Sequence, residues 1–338
     1  MLPRPAYSSP RRPAPSSPAS RSLSMAAHRS PMAAEPILIT GAGGFVGSAL
    51  MRALAGTRRI IATDRAELDC ADLPGITALQ GEIDNPALVT AIAAEPLAAI
   101  IHLATIPGGA AETDPALAAR INVAAPMALI DAVTAYGNVP RLIFASSIAV
   151  FGHPMPQWVD DDTQVRPLKL YGAHKAMMEE WIATLDRRGT VRGLSLRLPG
   201  ILARPLAPSG MKSAFLGDLF HALKTRKPIT LPVSADAYSW LLSRRALVEQ
   251  LIIALDLATD PASTRLNLPA LRVRMGDLVT EVARQTGADP MLATYAPDPA
   301  IEAAFGAQPP LATPAANALG LTHDGDIAAL VANALADL

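Results

Sequence analysis

Ile37-Leu38-Ile39-Thr40-Gly41-Ala42-Gly43-Gly44-Phe45-Val46-Gly47 is a short apolar run that stops in a glycine cluster and opens into a helix-like stretch ending at Leu54. The glycines at 41, 44 and 47 give a GxxGxxG spacing. In a strand–turn–helix unit the first glycine permits the tight turn and the second lets a pyrophosphate approach the backbone. The third lets the helix pack close to the sheet. The helix N-terminus adds N–H groups and a partial positive charge, which suits a phosphate. Gly41, Gly44, Phe45, Val46 and Gly47 are therefore the first candidate cofactor-binding residues. Asp64 ends the next apolar run, Ile60–Thr63, and falls 23 residues after Gly41. A carboxylate there accepts hydrogen bonds from an adenosine ribose and repels a 2′-phosphate, which favours NAD over NADP. Arg65, its neighbour, pulls the other way, because an arginine can partner a 2′-phosphate.

The same rhythm continues outward. Apolar runs near Ile76–Gln80, Ala98–Leu103, Leu142–Ala145 and Leu194–Leu198 alternate with helix-like stretches. Those stretches are Pro86–Ala94, Pro115–Tyr136 (bent at Pro126) and the region around Tyr171–Arg187. Short apolar strands alternating with helices specify βαβ units and a parallel sheet buried on both faces. The right-handed crossover rule makes this an α/β Rossmann fold with a doubly wound parallel sheet. Beyond Leu198 the rhythm loosens among prolines, and helical stretches return at Ser243–Leu257, Met275–Arg284 and Asp326–Leu338. The expected division is a dinucleotide-binding domain over 35–200 and a smaller α/β, mainly substrate-binding part over 201–338. Residues 1–34 carry five arginines and no acidic residue among repeated Pro and Ser, and read as a disordered or non-native extension. Their bias resembles an organelle transit peptide. Their proline content and poor amphipathicity favour instead a translation start at Met25 or Met32.

Composition narrows the function. The chain has 338 residues, half of them hydrophobic, with a formal charge of −1. Without the extension, 24 basic residues face 30 acidic ones. A near-neutral or mildly acidic chain lacks the basic surplus of a nucleic-acid or membrane-surface binder. A single cysteine, Cys70, excludes an intrachain disulfide framework and any multi-thiolate zinc site. No His/Cys spacing of a metal site occurs. Charged residues interrupt the longest apolar stretches before they reach a membrane span, so the chain reads as soluble and cytoplasmic.

Tyr171-Gly172-Ala173-His174-Lys175 places a phenol and an ammonium at i and i+4, on one helix face. A free phenol is a poor base at neutral pH, and a nearby ammonium stabilises its phenolate. Ser147, 24 residues before Tyr171, closes the strand that begins at Leu142. At a strand's carboxyl end it can hydrogen-bond a reacting oxygen, where open α/β sheets hold their ligands. Ser147, Tyr171 and Lys175 are the candidate catalytic set.

These residues, with His102-Leu103-Ala104, Asn122-Val123, Val150-Phe151-Gly152 and Arg197-Leu198-Pro199, resemble the extended short-chain dehydrogenase/reductases, the NAD-dependent epimerase/dehydratase family. The likeness covers most of residues 36–285. It implies that Ile83, Leu103, Ala104, Asn122, Tyr171, Lys175 and Pro199 also contact NAD, and that helix-to-helix homodimers form. Within the family the chain is similar to the D-erythronate dehydrogenases through Phe144–Gly152, Val159–Thr163, Arg204-Pro205, Trp240-Leu241 and Leu266–Pro269. That likeness implies NAD-dependent oxidation of the C2 hydroxyl of a small sugar acid. Residues 105–113 depart from the Ser/Val-rich loop expected after the His-Leu-Ala motif. A sugar-acid carboxylate calls for a guanidinium fork, for which Arg204 and Arg244 are candidates against surface ion pairing. Trp240 is either a sugar platform or core. Ser147 and Tyr171 complete the substrate set. A nucleotide-sugar epimerase or dehydratase that retains its NAD is the alternative enzyme, and an NAD(H)-binding regulator the non-enzyme one.

Overall fold

Strands with alternate residues committed to opposite faces build the larger layer of the chain, which a computed structural model describes over residues 34–203 and 214–338. The expected N-terminal extension, Ala34 apart, and Arg204 lie outside the described residues. In β1 (Ile37–Thr40), Ile37 and Ile39 join one apolar cluster while Leu38 joins another on the opposite face. The first half of the chain continues through α1 (Phe45–Leu54), β2 (Ile60–Asp64), β3 (Ile76–Gln80), α2 (Pro86–Ile92) and β4 (Ala99–His102). It then runs through α3 (Gly108–Thr113), α4 (Pro115–Ala119), α5 (Ala125–Thr134), β5 (Arg141–Ser147), α6 (Leu170–Arg187) and β6 (Arg192–Leu198).

The expected helix over 115–136 is not simply bent at Pro126. A π-helical segment, Arg120–Ala124, separates α4 from α5. Pro126 falls in the first turn of α5, where its missing N–H is tolerated. The run Pro115–Thr134 is long and apolar enough to cross a membrane by length and composition. Its Ile121, Ala125, Leu129, Ile130 and Val133 are buried against the sheet.

The second half comprises β7 (Gly200–Ile201), α7 (Phe215–Lys224), β8 (Ile229–Leu231), β9 (Tyr238–Leu242), α8 (Arg244–Leu255) and β10 (Arg265–Asn267). After these come β11 (Leu271–Arg274), α9 (Met275–Thr286), β12 (Ala293–Tyr295), α10 (Pro299–Ile301), α11 (Pro314–Ala318) and α12 (Ile327–Ala336).

The large sheet has seven parallel strands in the order β3-β2-β1-β4-β5-β6-β10. Strand order reverses between β1 and β4, the crevice where doubly wound sheets bind ligands at their carboxyl ends. A cut at residue 200 does not separate the layers. β10 pairs with β6, and Leu247 and Leu251 of α8 join the same buried cluster as α1 and β1. The strands β11-β9-β7 and β12-β8 form a smaller layer with a second core, where Leu219 and Phe220 of α7 meet Leu278 and Val282 of α9 and Leu330 of α12.

Candidate active site

The turn after β1 is shaped by what its glycines exclude. Gly41 adopts φ +68°, and a Cβ on it would lie 2.7 Å from the Ala104 backbone nitrogen. A Cβ on Gly47 would stand 2.2 Å from the Gly41 carbonyl oxygen, closer than atoms pack. Only bare backbone lets α1 begin this close under the turn, with its N-terminal N–H groups facing the crevice. Gly47→Ala is therefore expected to lower stability by about 1–3 kcal/mol through overpacking. It should also cost at least about tenfold in NADH affinity, equivalent to about 1.4 kcal/mol. A urea midpoint and a fluorescence titration read both, and an unchanged NADH dissociation constant overturns this account of the turn.

A cleft of about 830 Å³ runs from this turn toward the small layer. Gly41, Gly44, Phe45, Val46, Gly47 and Leu103 line one end. Ser147, Tyr171, Lys175 and Pro199 line the same cleft, as does Trp240 of β9. Asp64 stands beside the turn, where its carboxylate accepts from Gly43 N–H at 3.0 Å and Ala66 N–H at 3.1 Å.

Besides Asp64, three expected cofactor residues do not line the cleft. Ile83 is buried in the core. The Ala104 N–H donates to Thr40 Oγ1 at 3.3 Å. Asn122, turned inward by the π-helical segment, clamps the loop after β4 from behind. Its Oδ1 accepts from Ile106 N–H at 2.7 Å, and its Nδ2 donates to the Ile106 carbonyl at 3.0 Å.

Tyr171 and Lys175 are set by α6, whose start is pressed against the turn after β5. A Cβ on Gly172 would lie 2.3 Å from the Ala149 carbonyl oxygen. That contact keeps α6 beside Ser147, whose hydroxyl caps the turn by accepting from Ala149 N–H at 3.1 Å. The Lys175 Nζ lies 5.5 Å from the Tyr171 ring centroid and 4.6 Å over the Phe144 ring. Burial pushes its ammonium down to about 7, with Glu179, one helical turn on, opposing the shift. His102 stacks on Phe144 and shares a hydrogen bond with Thr40 at 2.9 Å. Burial and then Lys175 push it down to about 3, so it stays neutral at physiological pH.

The sequence reading missed the buried network behind Lys175. Glu179 accepts from the Ser146 hydroxyl at 2.5 Å and from Arg197 Nη2 at 2.8 Å. Arg197 also donates to Asn267 Oδ1 at 3.3 Å, and Asn267 Nδ2 donates to the Asp160 carbonyl at 2.7 Å. The network ties α6 to β5, β6 and β10. The only signal within the sequence was an acid at i+4 from Lys175.

Two residues left open between substrate and structural roles take the structural one. The Arg244 guanidinium pairs with Asp337 at 2.5 Å, lies 4.7 Å over the Phe45 ring and does not line the cleft. Its charge is already matched, which closes it to a substrate carboxylate. Trp240 is fully buried, with its indole N–H donating to the Pro309 carbonyl at 2.7 Å, so core packing describes it better than a sugar platform.

The model of the NAD-dependent epimerase/dehydratase family matches residues 37–256. A D-erythronate dehydrogenase of Cupriavidus necator is 33% identical over 265 residues, covering 74% of this chain and 82% of that protein. Another from Haemophilus influenzae is 29% identical over 259 residues, with the same coverage of each chain. The crystal structure of a nucleoside-diphosphate-sugar epimerase from Agrobacterium tumefaciens superposes with a TM-score of 0.79 at 27% identity. It covers 88% of this chain and 92% of that one.

Proposed function

This chain belongs to the NAD-dependent epimerase/dehydratase family, and from that premise we propose that it oxidises the C2 hydroxyl of a small, D-erythronate-like sugar acid to the 2-keto acid. The observation that carries the reading is that Ser147, Tyr171 and Lys175 share one cleft with the glycine turn. The likeness to two D-erythronate dehydrogenases supports the substrate class.

The glycine turn holds the pyrophosphate, because the space that a Cβ would fill at Gly41 and Gly47 is left to bare backbone. When bound, NAD supplies the hydride acceptor. The chain's own residues handle the proton. Ser147 Oγ hydrogen-bonds the reacting oxygen and fixes its position. Tyr171 Oη takes the hydroxyl proton as that oxygen becomes a carbonyl. Lys175, charged and close to the phenol ring, favours the phenolate.

A panel of four- to six-carbon aldonic and hydroxy acids, assayed with NAD and with NADP, tests the proposal. D-erythronate with NAD should yield NADH and a 2-keto acid in equal amounts. Cofactor that stays bound through purification, with no net NADH from any acid in the panel, would overturn it in favour of an epimerase. NAD(H) binding with no turnover on the panel or on nucleotide sugars would point to a regulator.

A further inference from the structure

A sugar acid brings a carboxylate next to the carbon being oxidised, so the cation that recognises it must stand in the same cleft as Tyr171. Four Lys, Asp and Glu side chains line the cleft among the described residues: Glu112, Lys169, Lys175 and Asp218. Lys175 is fully buried beneath Phe144 and Tyr171 and is spent on the phenol. Glu112 is spent as well, since its Oε1 accepts from Leu170 N–H at 2.7 Å.

Lys169 is different. It lies two residues before Tyr171, is half-buried, and holds its Nζ 5.9 Å from the ring centroid of Phe305, another lining residue. No carboxylate pairs with it among the described residues. A cation parked over an aromatic face at a cleft wall is partly desolvated yet unmatched, and an anion entering the cleft completes its charge.

We propose that Lys169 binds the substrate carboxylate and so selects acids over neutral polyols at this site. The inference rests on the sugar-acid reading above and deepens it. Asp218, the second lining carboxylate, repels an anion and so leaves Lys169 as the partner for the substrate carboxylate.

The test compares D-erythronate with its uncharged amide, D-erythronamide, in the wild type, Lys169→Met and Lys169→Arg. Methionine keeps a flexible chain against Phe305 and removes only the charge. Loss of a charge-assisted hydrogen bond should lower kcat/KM for D-erythronate by about 10–100-fold, mostly through KM. The amide should be turned over as before, so that acid-over-amide preference collapses. Lys169→Arg should restore much of that preference, and NADH affinity, read by fluorescence, should be the same in all three proteins. An unchanged KM for D-erythronate in an active Lys169→Met overturns the Lys169 assignment alone. A wild type that oxidises no aldonic acid overturns the substrate reading and this assignment with it. A parallel loss on acid and amide reassigns Lys169 to a structural role.

Discussion

Tyr171→Phe is expected to slow NAD reduction by roughly 10²–10⁴-fold, the range that a positioned general base supplies. The ring that fills the cleft wall remains and only the phenol oxygen goes, so NADH affinity should be retained. A steady-state assay and a fluorescence titration on the same sample check the two halves, and a variant as active as the wild type removes the proposed base. Lys175→Met gives a second, independent reading through pH. A unit charge 5.5 Å from the phenol ring is worth about 3 kcal/mol at an effective dielectric of about 20, or roughly two pH units. A positive charge favours the deprotonated base. Removing it leaves the base protonated at pH values where the wild type already works. The acid limb of the rate profile should therefore move to higher pH. On that reckoning the two groups interact by more than about one pH unit, so the wild-type limb belongs to the pair rather than to either residue. A Lys175→Met profile that differs only in height would mean that the ammonium does not act on the base.

What could be read from the sequence was what local geometry decides. A glycine turn is a property of seven consecutive residues, and Tyr171 and Lys175 share a face because a helix repeats every 3.6 residues. Parallel strands buried on both faces announce themselves as continuous apolar runs, as Ile37–Thr40 does. β10 escaped that reading because three residues, Arg265–Asn267, are too few to show a period. Arg244 stayed open between substrate and ion pairing for the same reason. Asp337, which neutralises it, is 93 residues away in the chain, and spacing along a sequence carries no trace of such a partner. Lys169 was hidden for the opposite reason. At i and i+2 from Tyr171 it does not share a helix face with it, and only its place as the extended residue before α6 turns it toward the same cleft. Asn122 was assigned to the cofactor by resemblance, whereas its side chain is occupied in holding the loop after β4.

Glu179→Ala should lower the free energy of unfolding by about 3–5 kcal/mol, the cost of breaking a buried ion pair from one side. The side chains of Arg197 and Glu179 are 4% and 2% exposed. With the carboxylate gone, the guanidinium keeps Asn267 and the Phe151 ring face, 5.1 Å away, and has no opposite charge. Ser146 loses the acceptor of its hydroxyl at the same time. Urea denaturation with an unchanged m-value measures the loss. The paired variant Glu179→Met with Arg197→Met should lose less than Glu179→Ala alone, since two apolar side chains leave no charge to compensate. A loss under about 1 kcal/mol for Glu179→Ala, against the usual cost, or a paired variant less stable than the single one, overturns the account. The pair also reaches the chemistry. Glu179 opposes the burial that lowers Lys175, so its removal lets the ammonium go at still lower pH. In a paired variant that folds, the ammonium is then present only in more acidic solution, and the activity lost near neutrality should be greater than the stability lost would explain. On this account Glu179 acts on the proposed base through Lys175, by opposing the burial that strips the lysine of its proton.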